Sequence, residues 1–492
     1  MRRAFASLAV ASLLAGCTAG PDYHVPDRAM AKAPSANGPF VSGQDKAFDA
    51  APLPDRWWTL YDDARLDGYV REALGANTDL RAADANLRRA SAVVREVEAG
   101  RTVQTKIEAA AFGADVGGYT LTVPLDLPYS AVVSASIDYP LDLAGGIKRG
   151  IEAAKDNREA VAAARDQVRV TIAAAVTRSY ADVCSANLTL AATRHVLDVQ
   201  TQTLTSINRL FRGGRGTAFD VTRARTAADR SAAAIPEIIA GRQASLFELA
   251  ALMGRAPADY PKELEDCASP PKLTRPLPIG DGTALIRRRP DIRASERQLA
   301  AATAGIGVET AKLYPQVSLA GSAGFANSIS NFFTGPSFGG FAGPLISWAF
   351  PNRKAIHAEI AQAGATADAA SAHFDGTVIE ALRQTETALD AYAREIEHDG
   401  ALEKTWDDAA KSTDQANKLF RYGRTDVLNV LTAQANLAEA EAALAQSRAT
   451  LIDRQVNVFL ALGGGWEDVA SSPLPEREGA GAGSPGAGAA RH

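Results

Sequence analysis

The stretch Asn417–Gln434, NKLFRYGRTDVLNVLTAQ, is the second version of a segment already met at Asn208–Arg225, NRLFRGGRGTAFDVTRAR. The spacing of 209 positions that lays Gly214 on Gly423 also lays Leu210 on Leu419, Phe211 on Phe420, Arg215 on Arg424, Val221 on Val430 and Ala224 on Ala433. It still holds at Gly254 and Gly463. A register kept that long means two copies of one structural unit. In each copy glycine and arginine interrupt a helical pattern that then resumes, as at the tip of a helical hairpin. Any fold for this chain must therefore hold two equivalent hairpins, with tips at about 211–218 and 421–426.

The arms of these hairpins are too long for a compact globule. Lys148 to Leu210 and Lys354 to Leu419 contain no proline and much alanine, and at 1.5 Å per residue each would run roughly 95 Å. The returning arms, Ala218 to Met253 and Thr425 to Leu462, are shorter, so another helix must continue each return. Thr78–Ala99 and Pro290–Leu313 have the helical period to do so. Alanine seams permit the close approach of a curved wall of coiled helices.

Ahead of each long arm the period changes to two. From Tyr129 to Tyr139 the odd positions are Tyr, Ala, Val, Ala, Ile and Tyr and the even ones Ser, Val, Ser, Ser and Asp; Val103, Ile107, Ala109 and Ala111 alternate with Gln104, Lys106 and Glu108. Val317–Phe325 and Phe338–Trp348 repeat the signal in the second copy. A soluble half-buried sheet and a membrane barrel both produce such alternation. Ten residues tilted by about 40° span roughly 25 Å, the height of an outer-membrane apolar band. Four strands cannot close a barrel, and an open edge in lipid leaves backbone groups unsatisfied. If these strands enter a membrane, the chain must oligomerise.

Arg2 and Arg3 precede an apolar run from Ala4 to Ala15 that ends in Leu14, Ala15, Gly16, Cys17, the layout of a secretory signal. The ending resembles a bacterial lipobox, which implies removal of residues 1–16 and a palmitate-bearing lipid on Cys17; Thr18 as the second mature residue then favours the outer membrane. Six prolines between Pro21 and Pro54 make 17–56 an extended strap. The body divides into a first repeat, 57–275, and a second, 276–470. The Gly- and Ala-rich 471–492 reads as a disordered tail.

RRRPDIRASERQLAAATAGIGVETAKLYPQVSL at Arg287–Leu319 resembles the signature of TolC/OprM-type outer-membrane efflux ducts, and LGGGW at Leu462–Trp466, GCTAGPDYHVP at Gly16–Pro26 and WWTLYDDARLDGYV at Trp57–Val70 resemble their NodT-type lipoprotein branch. The resemblance implies a mainly α fold with a membrane β-barrel: a homotrimer whose four strands per chain make twelve, a periplasmic α-barrel, and a mixed equatorial belt including Asp259–Gly282. It implies an exit duct that accepts drugs or other small molecules from an inner-membrane RND-type pump through a periplasmic adaptor. The exit duct of a type I protein secretion system is the alternative, and a non-conducting envelope lipoprotein a more distant one.

The resemblance also implies a gate at the second tip. Family members carry aspartate rings on the returning helix in a pattern like DVLDA and a tyrosine before the tip; this chain has Asn429, Val430, Leu431, Thr432, Ala433 and Phe420 instead. An apolar constriction at Leu428 is therefore expected, flanked by Asn429 and Thr432, with Arg421 and Arg424 as candidate partners of Asp220. A ring made by Asp220 and Asp426 is the other possibility. Gly213, Gly214, Arg215, Gly423, Arg424 and Thr425 are the expected adaptor contacts.

Other classes are excluded by what the chain lacks. Its six histidines are scattered, and it has no HExxH, GxSxG, P-loop or CxxC, so no enzyme, metal or cofactor is expected beyond the lipid on Cys17. A formal charge of −5 without long basic runs excludes nucleic acid. Cys184 and Cys267 remain after processing. Cys184 stands roughly 39 Å above the first tip and Cys267 follows a return helix of roughly 54 Å, heights compatible with a disulfide in an oxidising periplasm or with two separate thiols.

Overall fold

The computed structural model describes residues 18–112, 130–328, 332–333, 335–351 and 353–466. The expected signal peptide, Cys17, Tyr129 and the tail from 471 lie outside them.

Among the described residues, eight α-helices longer than a single turn follow the repeat. In the first copy α1 is Ala64–Ala76, α2 Thr78–Ala99, α3 Gly146–Arg212 and α4 Ala218–Leu252. In the second, α5 is Gly282–Arg288, α6 Pro290–Ala311, α7 Lys354–Arg421 and α8 Val427–Leu462. The 67 residues of α3 and 68 of α7 make each about 100 Å long.

Each return helix is continued end to end. The Asn77 side chain caps α2 by accepting from Asp79 N and Leu80 N, and its Nδ2 donates to Leu252 O at 2.9 Å, the end of α4. In the second copy Arg289 precedes α6 and its guanidinium donates to Ala461 O at 2.7 Å, near the end of α8. Gly254 and Gly463 adopt φ +70° and +69° at these joints, and a Cβ on Gly254 would stand 2.6 Å from Ala76 O. Glycine is required there twice over, by backbone conformation and by contact. Pro290 opens α6 at its first turn, where no N–H is missed.

Between α2 and α3, and again between α6 and α7, the chain forms strands. With β1 (Phe48–Asp49) and β4 (Leu277–Pro278) making a short parallel pair in the belt, the remaining strands are β2 Gln104–Phe112, β3 Ser130–Leu141, β5 Gln316–Ser328 and β6 Phe338–Ser347. They form one antiparallel sheet in the order β2-β3-β5-β6. Ala109, Val133, Phe325 and Phe338 lie in one cross-strand row, and Tyr139 is paired with Leu319.

The main core lies where the joints meet. Trp57 stacks on Phe459 with centroids 4.4 Å apart, and Tyr180, Leu246, Leu249, Leu264 and Leu277 are buried around them. Leu264 and Leu277 come from the belt segment, and Phe40, Phe48 and Leu53 from the N-terminal strap. That strap is more structured than its prolines suggest: it forms single turns at Met30–Lys32, Pro34–Asn37 and Ser42–Gln44. Carboxylates of α7 hold it. Met30 N donates to Asp375 at 2.7 Å, and Val41 N and Ser42 N donate to the two oxygens of Glu386 at 2.7 and 2.8 Å.

Candidate channel wall and hairpin tips

The four-stranded sheet has one apolar face that nothing among the described residues covers. Ile107, Val133, Ile137, Tyr139, Leu319 and Phe338 all point to it and all are exposed. The opposite face carries Lys106, Glu108, Ser134, Ser136, Asp138, Ser318 and Ser322, with Phe341 and Leu345 of β6 as its exposed apolar members. From Val317 to Phe325 the apolar face runs about 26 Å along β5, which at a tilt of about 40° covers about 20 Å of the roughly 25 Å band of outer-membrane barrels. Aromatic side chains mark both ends. Phe325, Phe332, Phe333 and Phe338 cluster at one, with neighbouring centroids 5.0–6.1 Å apart. At the other, Trp348 stacks on Phe350 at 4.9 Å and the Arg353 guanidinium lies over both rings. The edges β2 and β6 have no further neighbour among the described residues of the chain. No helix among those residues is long and apolar enough to cross a membrane.

The two tips are built alike. Gly214 and Gly423 take φ +69° and +66°, and the following Arg215 N and Arg424 N each donate at 2.8 Å to a carbonyl five residues back, Leu210 O and Leu419 O. This is the glycine-terminated helix end that satisfies the last carbonyls of α3 and α7. Arg215, Arg424 and Gly213 are exposed and Thr425 half-buried, so the expected adaptor contacts project from the end of the wall.

Past the tips, the acids are helix caps. Asp220 and Thr217 form a reciprocal capping box at the start of α4: Asp220 N donates to Thr217 Oγ1 at 3.2 Å, while the Asp220 carboxylate accepts from Thr217 N at 3.0 Å and Thr217 Oγ1 at 2.6 Å. These bonds hold its pKa below the usual carboxylate range, with Arg223 adding a smaller push. Asp426 likewise accepts from Asn429 N at 2.9 Å, and Asn429 Nδ2 donates to Thr425 Oγ1. Within one chain Asp220 is bonded to Thr217 through a single carboxylate oxygen, and its bonds go to neither Arg421 nor Arg424, both exposed. The T-x-x-D run at 217–220 is the sequence signal for this box.

Of the other expected gate residues, Leu428, Asn429 and Thr432 share the exposed side of α8, Leu428 at 44% exposure, and Phe420 is half-buried. The opposite side of α8 makes the seam between hairpins: Leu431 packs with Ile207, Val221 and Ala224, supported by Leu204 and Val427. Gln434 Nε2 donates to Thr203 Oγ1 at 2.9 Å beside it. Farther up, Asp182 of α3 sits against Asp453 of α8, and partial burial together with that neighbour pushes its pKa up to about 6. Asp453 is itself paired with Arg178. The structure joins Cys184 to Cys267 in a disulfide, Cα–Cα 5.0 Å, both cysteines buried in the main core.

At the sheet end, Arg149 holds the strap. It is 3% exposed and donates to Ala19 O, Gly20 O, Asp22 and Glu152. Nothing in the local sequence marks it, since all its strap partners lie more than a hundred positions away. No cluster of three metal-ligating side chains occurs among the described residues.

A sheet with a lipid-facing side, two open edges and tandem 100 Å hairpins defines one wall segment of an outer-membrane channel. A family model described as outer membrane efflux protein matches residues 69–255 and 283–464, one segment per copy of the repeat, and the chain belongs to that family. Nodulation protein T of Rhizobium leguminosarum bv. trifolii is 27% identical over 470 residues, covering 94% of this chain and 97% of that protein. The toluene efflux pump outer membrane protein TtgC of Pseudomonas putida is 29% identical over 493 residues, covering 95% and 96%. The solved outer-membrane channel OprN matches with a TM-score of 0.81 at 32% identity, over 92% of this chain and 100% of that one. The protein is thus an outer-membrane efflux channel component rather than an enzyme, placed in the outer membrane and extending into the periplasm.

Proposed function

We propose that three copies close edge to edge, β6 of one on β2 of the next, into a twelve-stranded barrel continued by a twelve-helix tube. The duct passively conducts drugs or other small molecules that an inner-membrane RND-type pump delivers through a periplasmic adaptor. The observation that carries this reading is the pair of open edges flanking an uncovered apolar face: in lipid each unpaired edge group costs several kcal/mol, and only closure removes that cost. The names of the relatives, among them an efflux pump component, support the cargo class. Arg215 and Arg424 at the tips are the adaptor contacts, and the Leu428 side of α8 forms the resting constriction.

Lipid on Cys17 anchors each chain. Leu14-Ala15-Gly16-Cys17 supplies the motif, and Thr18 docks at the foot of the sheet, where Ala19 N donates to Ala144 O at 2.9 Å. Native mass spectrometry of detergent-extracted protein tests the assembly. The reading expects three chains with an acyl mass on each, and Cys17→Ser removes the acyl mass while the trimer persists. A monomer as the sole species would contradict it.

A further inference from the structure

At the foot of the sheet a cavity of about 310 Å³ lies between the ends of β3 and β5, the start of α3 and the end of α6. Its walls are mostly apolar: Leu141, Leu143, Ile147, Val308, Ala311 and Val317. Leu141 and Val317 are register partners on the same side as Tyr139 and Leu319, so the cavity is continuous with the lipid-facing side of the sheet. Its charged lining groups are already engaged. Asp142 caps α3 by accepting from Ile147 N at 3.0 Å and Lys148 N at 2.8 Å, and Lys312 is paired with Glu309 at 2.6 Å and Glu359 at 3.0 Å. What remains to be met is apolar surface at the membrane boundary.

The first described residues, Thr18 and Ala19, pack on the segment that lines this cavity. Thr18 Cγ2 stands 2.7 Å from where a Cβ on Gly145 would be, Ala19 N donates to Ala144 O, and Lys148 Nζ donates to Thr18 Oγ1 at 3.2 Å. Ala144, Gly146 and Ile147, on either side of those contacts, line the cavity. Arg149, itself buried, then fixes Ala19, Gly20 and Asp22 through hydrogen bonds, and Gly20 fits only because it meets Gly307 of α6, where a Cβ on Gly20 would come within 2.4 Å of the Gly307 Cα. The Cα of Cys17 follows within about 3.8 Å of that of Thr18. We infer that the cavity is the seat of an acyl chain carried by Cys17 of the same protomer, so that the anchor is held against the protein at the foot of the barrel and does not simply dissolve in the bilayer. The inference rests on the proposed lipidation. The seat gives the anchor a fixed position, and each methylene it takes in is removed from water while the strap is being placed.

The test uses the full chain expressed in bacteria fed a diazirine-bearing palmitate analogue, purified as the assembled protein, irradiated and digested with trypsin. The expected result is a probe bridging the Cys17–Arg28 peptide to Ile107–Lys148, Gln298–Lys312 or Leu313–Arg353, the peptides that carry the cavity walls. Val308→Trp, which fills the cavity, should cut that bridge at least tenfold while the acyl mass on Cys17 and the trimer remain. A labelled Cys17 peptide bridged only to phospholipid or to other peptides, cavity peptides carrying phospholipid adducts in its place, or an unchanged bridge in Val308→Trp would overturn the seat and leave the lipid anchor standing. Absence of acyl mass on Cys17 would remove the anchor and the seat together.

Discussion

Replacing both Cys184 and Cys267 by alanine tests how the first hairpin is held at its root. The bond closes a loop of 83 positions that takes in the lower part of α3, the first tip, all of α4 and the belt up to Cys267. The second hairpin has no such closure. In the chain-entropy description a loop of this length stabilises by about 4.5 kcal/mol. With an unfolding entropy of about 2.1 cal/mol/K per residue, a chain of this size should lose about 4 °C in its melting midpoint. Losing the two buried sulfurs adds little, because alanine fills much of the space. Differential scanning fluorimetry of unreduced detergent-purified protein reads the midpoint, and hydrogen exchange reads where the loss falls. Exchange should rise in α4 and 253–267 and stay unchanged in α7 and α8. A midpoint within 1 °C of the parent, or two free thiols in the denatured, unreduced parent, would refute the reasoning.

Leu428→Ser should raise open conductance in planar bilayers, and Asn429→Asp should introduce block by a trivalent cation, since a threefold carboxylate ring would then line the constriction; strong block of the unmodified channel, abolished by Asp220→Asn or Asp426→Asn, would contradict closure by packing at Leu428. Asp182 is protonated more readily folded than unfolded, so its contribution is fully present below about pH 4 and lost as pH rises through about 6. Asp182→Asn should therefore stabilise the protein at pH 7.5 and not at pH 4, by about 1 kcal/mol once solvent screening is allowed for; a gain that does not vary with pH in thermal melts would refute this. Arg149→Ala removes a buried guanidinium serving two carbonyls and two carboxylates, and should speed hydrogen exchange at residues 19–33 by at least tenfold while the Glu386-held turn at 42–44 keeps its protection.

The long arms are legible because helical period runs unbroken through sixty residues in each copy, and the tips because both arms stop at the same offset. Joints are legible only as a length mismatch. That α4 ends on Asn77 and α8 on Arg289 depends on side-chain reach, which no local pattern encodes. Prolines make the strap look extended, yet its turns are held by Asp375 and Glu386, each 345 positions away from the backbone it caps. An acid at an exposed tip invites an arginine partner, whereas the nearer hydroxyl of Thr217 has already claimed Asp220. The alternation of the strands leaves two kinds of sheet open. The uncovered apolar face with its two aromatic ends separates them, because a soluble sheet would have packed that face against the helices.

The central claim is that copies of this wall close around a conducting pore, and single-channel recording of the purified, lipidated protein in a planar bilayer tests it most directly. The account predicts discrete conductance steps in the unmodified protein, larger steps or longer openings in Leu428→Ser, and no steps when Ala109→Arg places a charge on the lipid-facing side of β2. A trimer that inserts into the bilayer yet never conducts, with or without the Leu428 substitution, would contradict it.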